Sequence, residues 1–283
     1  MLFSASKWEI NSFCFNKNDR TPSNNQFYDQ LPARISKYLH HRYGFLKCID
    51  VGANIGDSVA AFYKDEKDSF LAIEPNKKFY WYLLANWGSH ENVVTRSCIC
   101  SSNSGVGMYQ ITESHGTASV VESETGNRIE TTSLDDLIAD ISSFGDFNIL
   151  KIDTDGHDFK VIAGAMNIIS TNLPLILFEC DEFSNSNYVE ECLMTLDALR
   201  DVGYNSFLLY DNWGYLMGQY SLADLSCFRN LLFYQLTSSF DYFEILLMND
   251  EDIIQFSRLE SAFFVDKMIN KSLQQTAKVA GEF

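Results

Sequence analysis

With 283 residues, 46% of them hydrophobic and 14% aromatic, the chain is long enough to bury a full α/β core with appended elements. Its 38 acidic against 21 basic residues give a formal charge of −17, a field that repels polyanions over a Debye length of about 8–10 Å and argues against nucleic acid as a partner. Apolar runs such as 173–180 stop short of the roughly 20 residues of a membrane span, no basic-then-apolar leader opens the chain, and seven cysteines form no metal-spaced cluster, so a cytoplasmic chain with reduced thiols is expected.

Residues 1–44 mix aromatics with Asn and Ser and then show a helical pattern over 30–43, which reads as an extension serving as lid or packing element. A buried apolar strand over 45–51 runs through a glycine-containing turn into a helix over 57–64. Strand 69–73 ends at Glu74-Pro75 and is followed by a helix over 77–86 and a third strand over 93–99. The polar, Gly/Ser/Thr-rich stretch 105–132 suits a hairpin or loops over one sheet edge. Strands over 148–152 and 175–180 then alternate with helices over 134–141, 157–170 and 189–201. This alternation predicts a doubly wound, mostly parallel, seven-stranded Rossmann-like sheet across 45–240. Residues 207–210 and 230–234 supply its last two strands, 213–220 their connection, and 241–283 a helical tail.

The strongest chemical signal is Asp50-Val51-Gly52-Ala53-Asn54-Ile55-Gly56-Asp57-Ser58, a strand ending in an acid and a turn with two glycines. Gly52 permits the tight turn and Gly56 the close packing of the next helix. A dinucleotide site needs Gly-x-Gly-x-x-Gly so that pyrophosphate can sit on backbone N–H groups, whereas Asn54 takes the middle glycine position here and Asp50 would repel an anion. S-adenosylmethionine carries a sulfonium and an α-ammonium but no phosphate, and it favours a carboxylate such as Asp50 or Asp57. Glu74, about 24 residues after Asp50 and followed by Pro75-Asn76, can bridge two ribose hydroxyls. Topology places Cys98 beside the adenine.

These residues resemble the FkbM methyltransferases. The likeness rests on 49–56 (Ile-Asp-Val-Gly-Ala-Asn-Ile-Gly), 73–76 (Ile-Glu-Pro-Asn), 131–137 (Thr-Thr-Ser-Leu-Asp-Asp-Leu), 150–158 (Leu-Lys-Ile-Asp-Thr-Asp-Gly-His-Asp) and 177–179 (Leu-Phe-Glu). Asp155 shortens the glutamate that is usual in the fourth piece, and His157-Asp158 departs from the commoner aromatic-Glu pair. The resemblance implies a class I methyltransferase fold, S-adenosylmethionine as cofactor, and O-methylation of a sugar, glycan or other small acceptor in bacterial polysaccharide or natural-product biosynthesis.

Ligands of open α/β sheets bind outside the carboxyl ends of the strands, so the loop 153–158 faces the same crevice as Asp50. His157, opening a helix, is the expected general base; Asp153 orients cofactor or acceptor; Asp155 and Glu179 add crevice carboxylates. Asp153, Asp155 and Glu179 could together take Mg²⁺, though carboxylates facing a hydroxylated acceptor serve as well without metal. His115 and Trp213 are candidate acceptor contacts. The competing readings are a nicotinamide-dependent oxidoreductase on a related fold and a non-catalytic module of a polysaccharide-assembly protein, and a homo-oligomer is left open.

Overall fold

The computed structural model describes residues 30–114, 116–183, 185–238 and 240–282. Helix α1 (Leu31–Tyr43) leads into β1 (Lys47–Val51), α2 (Asp57–Phe62), β2 (Ser69–Ile73), α3 (Lys77–Trp87) and β3 (Val93–Arg96). The short β4 (Ile99–Cys100) starts a second sheet, continued by β5 (Gly105–Ser114), β6 (Thr117–Glu122) and β7 (Asn127–Thr132). Next come α4 (Leu134–Asp140), β8 (Ile149–Ile152), α5 (Asp158–Ala163), α6 (Met166–Asn172), β9 (Leu175–Cys180) and α7 (Tyr188–Asp201). The chain closes with β10 (Ser206–Asp211), β11 (Leu216–Ser221), α8 (Ser226–Thr237), β12 (Phe243–Leu247), α9 (Asp250–Lys267) and α10 (Gln274–Ala280).

The main sheet runs β11-β10-β12-β9-β8-β1-β2-β3. Its β3-β2-β1-β8-β9 core is parallel, and β12 lies antiparallel between β9 and β10. Strands covered on both faces read as continuous apolar runs, which is why β8 and β9 carry almost no polar residue. On one face Ile49, Leu71, Ile152 and Phe178 pack with α4 to α8; on the other Cys48, Phe70, Ile149 and Leu177 pack with α1, α2, α3 and α9. The result is a three-layer α/β/α sandwich whose parallel strands all end at one rim.

Several expectations need correction. Among the described residues the main sheet has eight strands in place of the seven expected, because 216–221 pairs antiparallel with β10 as an edge strand instead of serving as a connection. Residues 230–234 lie within α8, and the strand is Phe243–Leu247. Phe228, Leu232 and Gln235 are buried at helical spacing while Phe233 and Tyr234 face solvent, so burial on a helix face overrides the strand preference of a local aromatic run. The expected boundary at 240 falls just before β12, an interior strand, so the sheet continues to Leu247. The third strand stops at Arg96, and the helix expected over 157–170 is broken at Gly164-Ala165 into α5 and α6.

Of the 1–44 extension, residues 1–29 lie outside the described residues. Helix α1 packs beside α2 and α9. Arg34 Nε donates to Glu260 at 2.7 Å, Tyr38 Oη to Asp252 Oδ1 at 2.7 Å, and Ser36 Oγ to the Phe62 carbonyl at 2.6 Å. The 105–132 stretch forms the small sheet β4-β7-β5-β6, and the β5–β6 hairpin reaches the carboxyl ends of the main strands.

Candidate functional site

Between β1 and α2 the chain turns in the left-handed region at Gly52 (φ +84°), Asn54 (+47°) and Gly56 (+90°). A Cβ on Gly52 would lie 1.7 Å from the Asp153 carbonyl oxygen, so glycine lets the β1 and β8 loops touch backbone to backbone. At Gly56 the same atom would meet the Trp87 ring at 2.3 Å. Four amides of this turn are spent within the protein: Gly52 and Ala53 N–H donate to the Ile73 carbonyl, Gly56 N–H to the Ala53 carbonyl, and Asn54 N–H to Glu74 Oε2 at 2.9 Å. Asp57 stands exposed in the first turn of α2, where its carboxylate takes the place an anion would want. The turn therefore offers little to a diphosphate.

Glu74 is buried at the end of β2, accepting from Asn54 N–H and, at 2.7 Å, from Asn76 N–H, so it ties the two loops together. Each of its oxygens keeps a second lone pair. Burial pushes its carboxyl up to about 7, against the pull of those two amides. Pro75 ends the strand, and Asn76 caps α3 by accepting from Lys78 and Phe79 N–H.

Asp50 is fully buried. Ser58 Oγ donates to its Oδ2, while Oδ1 has no hydrogen-bond partner and faces Lys151 Nζ at 3.5 Å. Burial raises its carboxyl, with Lys151 and Ser58 opposing. The same ammonium donates to Asp153 Oδ2 at 3.0 Å. Burial pulls Lys151 down, but Asp153 and Asp50 outweigh it and hold the lysine well above its ordinary value. The sequence pattern alone assigns Lys151 no role at the site. Its signal was a lone charge inside the buried run Ile149–Ile152, which must be paired.

Beyond β8, Asp155 sits at φ +50°, and burial with the Asp153 charge pushes its carboxyl up to about 6. A hydrogen bond with Thr117 opposes that shift. Asp158 is buried at the head of α5, accepts from Thr154 Oγ1 at 2.6 Å and Glu179 N–H at 3.3 Å, and is raised by burial to about 7. Glu179, half-buried on β9 opposite Glu244 on β12, is raised well above the usual range by burial, Asp153, Asp158 and Glu244. His157 is only 4% exposed, 3.2 Å from Ser101 Oγ and edge-on to Tyr109 beneath the small sheet. Desolvation, with Lys160 in support, lowers it to about 4.

Cys98 lies past the end of β3 in the turn to β4, half-buried, and its thiol is lowered chiefly by a hydrogen bond with Cys100. Trp213 sits in the β10–β11 turn at the same rim of the sheet, its N–H donating to Asp211 Oδ1 at 3.0 Å. His115 lies outside the described residues. Among the described residues, the group of three side chains close enough to share a metal ion is His40, Asp65 and Asp68, at the opposite ends of the strands; Asp153, Asp155 and Glu179 do not converge in this way.

A family model described as the methyltransferase FkbM domain matches residues 50–206. No curated protein sequence matches the chain. Among solved structures, methyltransferase FkbM from Methylobacillus flagellatus superposes with a TM-score of 0.43 at 16% identity, over 75% of this chain and 47% of that one. The chain thus spans about half the length of that protein. An O-methyltransferase from Bacillus cereus in complex with SAH gives a TM-score of 0.43 at 11% identity, over 77% and 80% of the two chains. Precorrin-6y C5,15-methyltransferase from Geobacter metallireducens gives 0.40 at 10%, over 83% and 96%.

Proposed function

The chain belongs to the FkbM methyltransferase family and has a Rossmann-like class I methyltransferase fold, and from that premise we propose that it transfers a methyl group from S-adenosylmethionine to a hydroxyl of a sugar or glycan-like acceptor. The observation that carries the choice of cofactor is the β1–α2 turn. The amides of Gly52, Ala53, Asn54 and Gly56 are bonded internally and the carboxylates of Asp50 and Asp57 flank the turn, which suits a cationic ligand and disfavours a nicotinamide dinucleotide. Asp50, held by Ser58 and by Lys151 at 3.5 Å, adds a buried carboxylate beneath the turn. Glu74, with lone pairs left on both oxygens, is the ribose ligand, and Gly52 to Ser58 with Pro75 and Asn76 line the rest of the cofactor cleft; Cys98 borders it on the β3 side.

When bound, the sulfonium supplies an electrophilic methyl group. The acceptor oxygen must reach it in line and lose its proton, and positioning carries much of the barrier reduction. Asp155, with a carboxyl near 6, is ionised at neutral pH and close enough to that pH to take the proton. His157, the base expected from the sequence, is instead enclosed under the small sheet against Ser101, which is why the proton is assigned to Asp155. Asp153 orients cofactor or acceptor from its place on Lys151, while Glu179 and Trp213 border the acceptor. Polyhydroxylated acceptors suit this rim, since sugar hydroxyls can donate to its many carboxylates.

Calorimetry with S-adenosylhomocysteine and NAD separates the readings. Heat with the first and none with the second is expected; the reverse would establish a dinucleotide site. Methyl gain on members of a neutral and amino-sugar glycan panel, followed by mass spectrometry, tests the acceptor class, and a panel without any gain speaks for a non-catalytic module.

A further inference from the structure

The rim that would hold the cofactor is spanned by the β5–β6 hairpin. Near its tip, the Gly116 carbonyl accepts from Asn54 Nδ2 at 3.0 Å on the β1 loop. Glu113 accepts from Asn76 Nδ2 at 2.9 Å on the β2 loop and from Lys78 Nζ at 3.1 Å in the first turn of α3. Thr117 bonds Asp155 on the β8 loop. One hairpin thus grips the three loops that diverge from the carboxyl ends of β1, β2 and β8, where ligands of this architecture lie. Its base is anchored differently. Tyr109 and Val120 pack with Ile99, Tyr109 abuts His157, and Glu122 pairs with Lys160 at 2.9 Å. The base is held by apolar packing, the tip by a few polar contacts that water can replace. Asn54 Oδ1, on the residue that holds Gly116, is buried without a partner, an acceptor that a ligand donor at this seam would satisfy.

Resting on the cofactor reading above, we propose that the β5–β6 hairpin is a latched cover over the cofactor cleft and that Glu113 is its positioning residue. Glu113 is half exposed and bridges Asn76 and Lys78, the cap and first turn of α3, so its two bonds tie the cover to the loop that carries Glu74. A ligand on the β1, β2 and β8 loops lies beneath the tip. Its arrival and departure both require these bonds to open, and a cover of this kind sets rates in both directions while changing affinity little.

The test is stopped-flow binding of S-adenosylhomocysteine to the full chain, comparing wild type with Glu113→Ala, Glu113→Asp and Lys78→Ala. Loosening the latch raises association and dissociation rates together in Glu113→Ala, by up to about fivefold, the ceiling set by the roughly 1 kcal/mol that exposed polar contacts supply, with Kd nearly constant. Lys78→Ala moves both rates the same way, and Glu113→Asp restores part of the slow behaviour. An association rate unchanged in Glu113→Ala, or a faster dissociation alone that weakens Kd in proportion, overturns the cover. Failure of the wild-type protein to bind S-adenosylhomocysteine at all is a separate outcome, which removes the cofactor reading and this proposal with it.

Discussion

Replacing Lys151 by Met leaves a buried carboxylate without its counter-ion, and the cost can be worked from the surroundings. Asp153 is 41% exposed at its side chain, so losing the 3.0 Å contact lets water take over and costs less than about 1 kcal/mol. Asp50 has no such recourse. It is fully buried and keeps only the Ser58 hydroxyl. Leaving such a charge unpaired costs about 3–5 kcal/mol, and the chain can escape by folding with Asp50 protonated. Holding a proton at pH 7 on a group that ordinarily titrates at 3.8 costs about 4 kcal/mol, at about 1.4 kcal/mol per pH unit, and only about 2 kcal/mol at pH 5. Urea unfolding followed by circular dichroism should therefore show Lys151→Met destabilised by about 4 kcal/mol at pH 7 and about half that at pH 5. In the Asp50→Asn/Lys151→Met double variant most of the loss should be recovered. Equal destabilisation at both pH values, with no recovery in the double variant, would refute the pairing argument.

Three further outcomes follow from the same geometry. Asp155→Asn should lower kcat by roughly 100-fold and erase an acidic limb near pH 6 from the rate profile, with S-adenosylhomocysteine affinity unchanged; a surviving limb removes Asp155 as the base. Asp158 has a folded pKa of about 7, above its ordinary 3.8, so the native state holds the proton more tightly and stability falls as pH rises between those values. Asp158→Asn should flatten that fall by at most about 1.4 kcal/mol per pH unit, and parallel stability profiles for variant and wild type would show that the carboxyl does not titrate this way. Gly52→Ala sets a methyl against the backbone of Asp153 and should cost more than about 3 kcal/mol, whereas Gly56→Ala meets a Trp87 ring that can shift and should cost about 1–3 kcal/mol. Equal tolerance in denaturant melts would contradict that ordering.

The geometry of the β1–α2 turn was legible because its signals are local: the glycines, Asp50 and Glu74 lie at strand ends whose place follows from periodicity. Lys151 was not, because its partner Asp50 lies about a hundred residues earlier and is brought alongside only by the β1–β8 register, where the two residues are paired. The same holds for Glu113 and Thr117. Nothing within 105–132 indicates that the hairpin crosses the cleft, since the contacts that place it come from Asn54, Asn76 and Asp155 in distant loops. His157 stands at the helix start as expected, yet its enclosure depends on Ser101 and Tyr109 from the second sheet, whose packing is not written in the local pattern. The misplaced strand has the opposite cause: the local aromatic run at 230–234 was plain, and tertiary burial of Phe228 and Leu232 overrode it.

The most direct measurement is a crystal structure of the chain grown with S-adenosylhomocysteine. The account predicts the ribose on Glu74, the homocysteine portion beside the Gly52–Ser58 turn, and the sulfur open toward Asp155. Density for the compound in another part of the molecule, or a nucleotide diphosphate seated on the Gly52 to Gly56 amides in a parallel soak, would contradict it.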